Sequence, residues 1–124
     1  MDEELAQQYG YRDSYAAGGL LFCSGQLGVD TDGHVPKDPA RQFELAFAAL
    51  ETLLARHGLG PADIVDLTSF HVHYPLHMEA FMRSKAAFMG GATCCWTAVG
   101  VTALGYPDAL AEIKTIARLG NNAG

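Results

Sequence analysis

Glu112 is the residue whose type and setting first suggest chemistry. It lies between Ala111 and Ile113 in a run that alternates polar and apolar side chains, as a β-strand does. If this strand is internal, the carboxylate needs a partner, a water molecule or a substrate, and it can then act as a proton acceptor. Solvation of Glu112 at the protein surface is the competing interpretation, and the sequence leaves both open.

A serine-glycine pair offers a second group of polar atoms. Ser24 supplies a hydroxyl group, and Gly25 leaves its backbone N–H open to a ligand because it has no side chain. Together they are candidates for binding a carbonyl or carboxylate oxygen. A glycine in a tight turn is the commoner reason for such a pair, and that alternative stays open.

The histidines and cysteines predict neither a metal site nor a redox centre. His71 and His73 would point the same way on a strand, but a third ligand at a recognisable spacing is missing, so packing against a helix or a subunit boundary is favoured. The cysteines form no Cys-x-x-Cys pair, and their odd number is a poor disulfide framework. We therefore expect reduced thiols at Cys23, Cys94 and Cys95.

Sequence motifs for cofactors are also missing. No phosphate-binding loop or dinucleotide fingerprint occurs. Residues 30–33, Asp-Thr-Asp-Gly, resemble the start of a calcium loop, but no glutamate follows at the required spacing, so they predict a turn. The sequence therefore predicts neither a metal ion nor an organic cofactor.

Two segments have the spacing of amphipathic helices. Asp38 and Pro39 have the residue types of a helix N-cap and first helical position, and apolar residues then recur with the helical period as far as Leu54. A second apolar stripe over residues 75–89 predicts a helix that ends at Gly90. Each helix lies between predicted strands along the chain.

The remaining apolar segments predict strands. Residues 15–29 predict one or two strands that meet at a glycine turn, and residues 64–74 predict a strand with alternating faces. Residues 96–104 and 110–117 flank the turn-like residues 105–108, which predicts a β-hairpin whose first strand is covered on both faces.

These elements predict an α+β protein with a single mixed sheet and two helices packed on one face. The other sheet face then remains uncovered and apolar, which favours burial by a second or third subunit. The length of 124 residues fits a single domain over residues 1–124, with residues 1–10 and 119–124 expected to be flexible.

Composition excludes several classes of partner. The net charge is −6 with eight Lys and Arg residues and no basic cluster, so nucleic acid is not an expected partner. No apolar run approaches the ~20 residues that span a bilayer. The acidic start, Met1-Asp2-Glu3-Glu4, differs from the basic start of a signal peptide, and we expect a cytoplasmic protein.

The order of motifs resembles the RidA (YjgF-type) family of small reactive-imine deaminases. The resemblance rests on Phe22-Cys23-Ser24-Gly25-Gln26-Leu27, on the helix over residues 42–54, on residues 63–68 and on Glu112-Ile113 with Ile116-Ala117. It implies a chorismate-mutase-like α+β subunit, a homotrimer with ligand clefts between subunits, and no metal or organic cofactor. In the deaminase members an imine or enamine is hydrolysed to a ketoacid and ammonia.

The resemblance also assigns roles to residues of this chain. Ser24 and Gly25 match the cleft loop, Tyr11 falls where a cleft tyrosine is expected, and Glu112 matches the glutamate that positions or activates the attacking water. The family's substrate-binding arginine is missing, and the alignment assigns Trp96 to its position. The expected catalytic residues are Glu112 and Ser24, and the expected substrate-binding residues are Gly25, Trp96, Thr97, Tyr11 and Phe81.

The loss of a guanidinium changes the expected ligand. An indole offers a flat apolar face instead, so the sequence predicts a planar, aromatic or enamine-like small molecule, with Arg12 or Arg83 of a neighbouring subunit as a weak substitute. Two function classes remain open. One is a hydrolase or deaminase that uses Glu112, and the other is a trimeric small-ligand-binding protein of the same fold without turnover.

Overall fold

Five strands form one mixed sheet, and the two longer helices lie against one of its faces. The computed structural model describes residues 3–120, and residues 1, 2 and 121–124 lie outside it. The strands are β1 (Ser14–Ala17), β2 (Leu20–Leu27), β3 (Ile64–Val72), β4 (Cys95–Val101) and β5 (Ala111–Arg118). The helices are α1 (Glu3–Tyr9), α2 (Pro39–Ala55) and α3 (Met78–Met89), with a 3-10 turn at Pro61–Asp63. The predicted α+β class is confirmed.

The strand order is β1-β2-β5-β3-β4, and every neighbouring pair is antiparallel except β3 and β4, which are parallel. The predicted hairpin of β4 and β5 is therefore wrong, because β3 lies between them. A bend does occur at residues 105–108, but it belongs to a connection that crosses the end of β3. β4 is an edge strand with half-buried and exposed residues, so the prediction that it is covered on both faces is also wrong within this chain.

The predicted strand pair near the N-terminus is confirmed as a hairpin of β1 and β2. Ala17 lies opposite Leu20, so only Gly18 and Gly19 form the turn. Their φ angles of 61° and 78° belong to the left-handed region, which both central residues of a type I′ turn require. Glycine adopts this conformation without steric cost.

Helix α2 begins and ends as the sequence predicts. The Asp38 side chain accepts a hydrogen bond from the N–H of Ala40 at 3.3 Å, and Pro39 is the first helical residue. At the other end Gly58 has a φ of 71°, and the N–H of Leu59 donates to the carbonyl of Leu54 at 3.0 Å. The apolar stripe faces the core, and its buried members are Phe43, Ala46, Phe47, Leu50, Leu53 and Leu54.

Strand β3 ends earlier than predicted. It stops at Val72, because His73 has a φ of 64° and leaves the extended conformation. Within β3 the predicted alternation holds from Leu67 to His71, whereas His73 is exposed outside the strand. The prediction that His71 and His73 share one strand face is therefore wrong.

Some elements lie where the sequence analysis expects flexible chain ends. Residues 3–9 form α1, and Ala6 is buried. After β5, the N–H of Leu119 donates to the carbonyl of Gly19 at 3.0 Å. Residues 1, 2 and 121–124 of the predicted flexible ends lie outside the described residues, and flexibility itself stays a prediction. No helix within residues 3–120 has the length and apolar character needed to cross a membrane.

The two faces of β5 differ in burial. Every second residue, from Ala111 to Ala117, is buried under the helices. The intervening residues from Glu112 to Arg118 lie on the helix-free face and are partly buried or exposed. On the same face Phe22 of β2 is paired with Ile116 and keeps 41% of its surface exposed. An apolar surface therefore remains uncovered within this chain.

Gln42 of α2 joins three parts of the chain near the start of β5. Its buried amide donates from Nε2 to the carbonyl oxygens of Pro36 at 2.8 Å and Asp108 at 3.0 Å. Its Oε1 accepts from the N–H of Leu110 at 2.9 Å. All the hydrogen-bonding groups of the amide nitrogen are thus used, and the start of β5 is held against α2.

We predict that Gly28→Ala destabilises the protein. A Cβ at Gly28 would collide with the backbone carbonyl of Gln42, which cannot move without displacing α2. Such overpacking costs about 1–3 kcal/mol. Urea unfolding is the measurement, and Gly60→Ala is the matched control because a Cβ there meets no atom within 4 Å and Gly60 already has a φ of −142°. Equal midpoints for the two variants would contradict the prediction.

Candidate functional site

Glu112 lies on the helix-free face of the sheet, between two apolar neighbours. In the antiparallel register it is paired with Leu27 of β2 and with Phe70 of β3. The carboxylate is partly buried, and within residues 3–120 it has no hydrogen bond or ion pair with another side chain. Burial in this setting raises the pKa of Glu112 above its ordinary value. The carboxylate is thus partly shielded from water and available to a ligand.

Gly25 forms the surface against which this carboxylate lies. The β2–β5 register shifts between Cys23 and Gln26, so Ser24 and Gly25 form a bulge in β2. A Cβ at Gly25 would collide with the Oε2 atom of Glu112. The glycine therefore allows the close approach of the carboxylate, which would have to move aside for a Cβ, and its φ is not in the left-handed region. We call Ser24, Gly25 and Glu112 the acid corner.

The hydroxyl group of Ser24 already donates its hydrogen. Ser24 Oγ donates to the carbonyl of Arg12 at 2.6 Å, and the Ser24 N–H donates to the carbonyl of Asp13 at 2.8 Å. Gln26 strengthens this link, because its Nε2 lies 3.1 Å from both the Asp13 Oδ1 and the Ser24 carbonyl oxygen. The Ser24 oxygen can therefore accept a hydrogen bond from a ligand, whereas its proton is not free to polarise a carbonyl.

Tyr11 precedes Arg12, whose carbonyl accepts the Ser24 hydroxyl hydrogen, and is partly buried. Its backbone N–H donates to the carbonyl of Ala6 at 2.9 Å, which ties the segment before β1 to α1. Tyr11 lines a cavity of ≈480 Å³ together with Arg56 and His57 at the end of α2. The adjacent Arg12 has its guanidinium carbon 4.7 Å from the ring centre of Tyr15. The segment of Tyr11 is therefore linked to the acid corner through the Arg12 carbonyl, and the predicted role of Tyr11 as a cleft residue stays a prediction.

Within one subunit Trp96 does not share a pocket with Glu112, and the predicted cleft between subunits stays a prediction. Trp96 is paired with Leu67, a core residue on the helix-covered face of β3. Its Nε1 donates to Ser69 Oγ at 2.9 Å, and its ring stacks on Phe81 of α3 with centroids 6.3 Å apart. The indole and the carboxylate thus lie on opposite sheet faces. Neighbouring residues of a strand point to opposite faces, so the face that Trp96 occupies depends on the register of β4 with β3.

The indole belongs to a polar network inside the subunit. The buried Ser69 hydroxyl that accepts from Trp96 lies 2.7 Å from Nε2 of His71. Burial lowers the pKa of His71, so its ring is neutral near neutral pH and can accept the Ser69 proton. The predicted packing of His71 against a helix is confirmed, since its ring meets Phe81 edge-on at 4.5 Å. This network stabilises the core and does not reach the acid corner.

Two other predicted ligand contacts have different outcomes. Phe81 is fully buried between aromatic rings of α2 and β4, so its prediction as a ligand contact is wrong for this chain. Thr97 is exposed and lies on the same sheet face as Glu112. It forms a row across the sheet with Thr68 of β3 and Lys114 of β5. Thr97 and Val99, rather than Trp96, are therefore the β4 residues on the side of the acid.

The thiols are free, as the sequence predicts. Cys23 is buried opposite Thr115, and burial raises the pKa of its thiol. Burial also raises the pKa of Cys94, so neither thiol is activated as a nucleophile. Cys95 is exposed on the edge strand.

The turn after β2 gathers three possible metal ligands. Ligand atoms of Asp30, Asp32 and His34 lie within 4.8 Å of one another. Asp30 Oδ1, however, accepts the backbone N–H groups of Asp32 and His34 at 2.9 Å each, which is the hydrogen bonding of an Asx turn. The turn accounts for these residues, and we assign them no ligand.

Sequence reasoning identified the members of the acid corner but missed why they belong together. The contact of Gly25 with Glu112 joins residues far apart in the chain, and only the alternation of β5 hinted at it. The role of Gln42 was also missed. A polar residue inside the apolar stripe of a helix is the signal that could have found it, because a buried amide requires partners.

Comparison with known proteins agrees with this fold. Residues 1–119 match the family described as Endoribonuclease L-PSP. The RutC family protein YjgH of Escherichia coli (strain K12) is 40% identical over 116 residues, which cover 93% of this chain and 87% of that protein. A solved structure of protein YjgH has a TM-score of 0.84 and 38% identity, covering 94% of this chain and 89% of that one. The structure of YyfB of the conserved Rid protein family from Yersinia pestis has a TM-score of 0.75 and 30% identity, covering 92% and 90%.

We predict that Glu112→Gln makes the protein more stable near neutral pH. Because burial raises the Glu112 pKa, the folded state binds the proton more tightly than the unfolded chain, whose carboxyl titrates near 4.5. This stabilisation is complete below 4.5 and is lost as the pH rises through the folded-state pKa. The variant cannot ionise, so its melting temperature should exceed that of the wild type by a few degrees near neutral pH.

The pH dependence separates this effect from simple repacking. The difference in melting temperature should shrink as the pH falls below the ordinary carboxyl pKa. Thermal unfolding over a pH series is the measurement. Glu79→Gln is the control, since the Glu79 side chain is 90% exposed on α3. A pH-independent difference for Glu112→Gln would contradict the assignment of the effect to the carboxylate.

Proposed function

This chain belongs to the Endoribonuclease L-PSP family of YjgF/RidA proteins, and from that premise we propose that it is an enzyme that hydrolyses an imine or enamine. The products are a ketone or ketoacid and ammonia, as the resemblance to the deaminase members implies. The acid corner is the reaction site. No metal ion or organic cofactor enters this proposal.

The observation that carries the proposal is the setting of Glu112. Its carboxylate has apolar neighbours on both sides, lies against the backbone of Gly25, and has no charged partner within residues 3–120. A carboxylate whose pKa is raised by burial exchanges protons more readily near neutral pH than an ordinary one. A structural ion pair would instead hold the carboxylate in its charged form.

The chemistry needs one base and one hydrogen-bond acceptor. The substrate reacts as the protonated imine, C=NH2+. Glu112 takes a proton from a water molecule whose oxygen forms a bond to the C=N carbon, the π electrons of the C=N bond move to the nitrogen, and the nitrogen becomes a neutral amine. The protonated Glu112 then gives its proton to that nitrogen, which becomes an ammonium group. The C–N bond breaks as the hydroxyl group loses its proton to the Glu112 carboxylate and becomes a carbonyl, and ammonia leaves with the electron pair of the C–N bond. Ser24 Oγ accepts a hydrogen bond from the substrate N–H, since its own proton is bound to the Arg12 carbonyl.

Substrate choice differs from that of the deaminase members because an arginine is missing. No arginine lies between Arg83 and Arg118, and the β4 residues on the Glu112 face near it are Thr97 and Val99. Loss of a bidentate contact with a carboxylate costs roughly 2–5 kcal/mol. A substrate with a carboxylate directly beside the C=N carbon is therefore disfavoured. This argument replaces the one based on Trp96.

The helix-free face supports assembly as a homotrimer with reaction sites between subunits. Phe22 of β2 is paired with Ile116 of β5, Phe70 of β3 lies on the same face beside Glu112, and helices cover only the opposite face. Burial of such a face by further copies removes apolar area from water. Native mass spectrometry tests this assembly and detects a bound small molecule in the same spectrum.

Cleavage of RNA, the activity in the family's description, has less support here. A net charge of −6 repels a phosphate backbone, and Glu112 brings a further negative charge to the site. A ligand-binding protein without turnover is the second candidate. The hydrogen bond from Ser24 to the Arg12 carbonyl favours it, because the hydroxyl proton is then unavailable for catalysis.

We predict that the wild type releases ammonia from imines formed in the assay and that Glu112→Gln lowers kcat. General acid–base groups contribute roughly 10²–10⁴-fold, so a loss of that order is expected while KM changes little. Imines without an adjacent carboxylate should react faster than 2-iminopropionate. Ammonia release is the measurement.

Glu79→Gln again serves as the control and should retain wild-type kcat. Unchanged kcat in Glu112→Gln would exclude Glu112 as the base. Binding without turnover in the wild type, across imines and enamines, would support the second candidate. Hydrolysis of 2-iminopropionate at least as fast as of neutral imines would contradict the proposed substrate preference.

A further inference from the structure

We propose that a cavity at one end of the sheet binds the non-reacting part of the substrate and takes a carboxylate several carbon atoms from the reacting carbon. We call it the end cavity. It has a volume of ≈570 Å³ and lies between the connection over residues 102–110 and the segment at Pro36 and Lys37. The inference rests on the proposed function, since it concerns the substrate of the acid corner.

The end cavity begins two residues along the strands from Glu112. Phe70 is paired with Glu112, and the N–H of Val72 donates to the carbonyl of Leu110 at 2.9 Å. Val72 and Leu110 both line the cavity. Two residues along a strand span roughly 6.6 Å, so a ligand of moderate length can reach from the acid corner into the cavity.

The walls of the end cavity are held together by Gln42. The three hydrogen bonds of its buried amide join Pro36 on one side to Asp108 and Leu110 on the other. These residues all line the cavity. Walls fixed in this way need little ordering when a ligand binds, which favours binding.

The lining has the composition of a small-molecule site. Its apolar part comes from residues such as Val72, Leu104 and Ala109, and its polar groups include the Tyr106 hydroxyl. The volume lies within the roughly 300–1,000 Å³ of ligand pockets. The groove between α2 and α3, at ≈480 Å³, lies in the helix layer on the opposite side from Glu112.

Lys37 gives the end cavity one group that can bind an anion, on the wall beside Pro36 and opposite Asp108. Lys37 is the only lysine or arginine that lines it, and Asp108 is the only carboxylate. His73 adds a ring that can donate a hydrogen bond. Lys37 lies in the end cavity and not beside Glu112. A carboxylate that binds to Lys37 must therefore be several carbon atoms away from the carbon that reacts at Glu112. The substrate class is therefore an imine or enamine with a distant carboxylate.

Methyl ketones of increasing length test this inference, since they resemble the hydrolysis product. Pyruvate, levulinate and 6-oxoheptanoate carry the carboxylate next to the carbonyl, two methylenes away and four methylenes away. We expect 6-oxoheptanoate to bind most tightly and to shift the backbone amide signals of Thr102, Leu104 and Leu110 in NMR titrations of the full chain. 2-Heptanone is the neutral probe of matched length.

Lys37→Met should weaken binding of 6-oxoheptanoate by about threefold to fivefold, the range of an exposed ion pair, and leave 2-heptanone unchanged. Arg41→Met, which removes an exposed cation on α2 that does not line the end cavity, is the control and should change neither. Lys37 is exposed, so both variants are expected to fold.

The outcomes separate this inference from the proposed function. If none of the ketones shifts the amides of the end cavity, or if Lys37→Met binds 6-oxoheptanoate as the wild type does, the inference is overturned. If the ketones bind there but no imine is hydrolysed, the end cavity is retained and the enzyme proposal fails. If imines are hydrolysed at rates independent of a remote carboxylate, the enzyme proposal is retained and the end cavity is rejected as a substrate subsite.

Discussion

The contact between the Glu112 carboxylate and the backbone of Gly25 is the constraint on which the site depends. It brings a charged group to a place where any side chain larger than hydrogen would collide with it. The bulge in β2 permits this approach, and the apolar pairing with Leu27 and Phe70 raises the pKa of the acid. The position of the Glu112 carboxylate and its raised pKa therefore have the same cause, which is the packing of β5 between β2 and β3.

The helix-covered face of the sheet stabilises the fold, and the helix-free face carries the acid corner. On the helix-covered face Trp96, Ser69 and His71 satisfy one another's polar groups inside an apolar core. On the helix-free face the carboxylate of Glu112 lacks such partners within the described residues. A buried polar group that is satisfied stabilises a fold, whereas one that lacks a partner is available for a ligand at a cost in stability. The Glu112 carboxylate in the acid corner is a group of the second kind, available for a ligand at a cost in stability.

Local sequence patterns predicted most of the helices, strands and turns. The order of the strands could not be predicted, because it depends on pairing between residues far apart in the chain. The capping of α2 by Asp38, the Gly18-Gly19 turn and the alternation of β5 depend on neighbouring residues, so they could be read from the sequence. The order of the strands depends on which apolar edges meet, and a turn signal beside two apolar runs could not distinguish a hairpin from a crossover. The same limit affected Trp96, because the face of an edge strand depends on its register with β3.

The position of β5 in the sheet has a consequence for synthesis on the ribosome. It is the last strand along the chain, yet it lies between β2 and β3. Until it emerges, the β1–β2 and β3–β4 pairs cannot join, and each presents an unpaired edge that can associate with other chains. The nascent chain therefore completes its sheet and its acid corner in one late event, and a chain cut short before β5 would lack the strand that joins the two pairs.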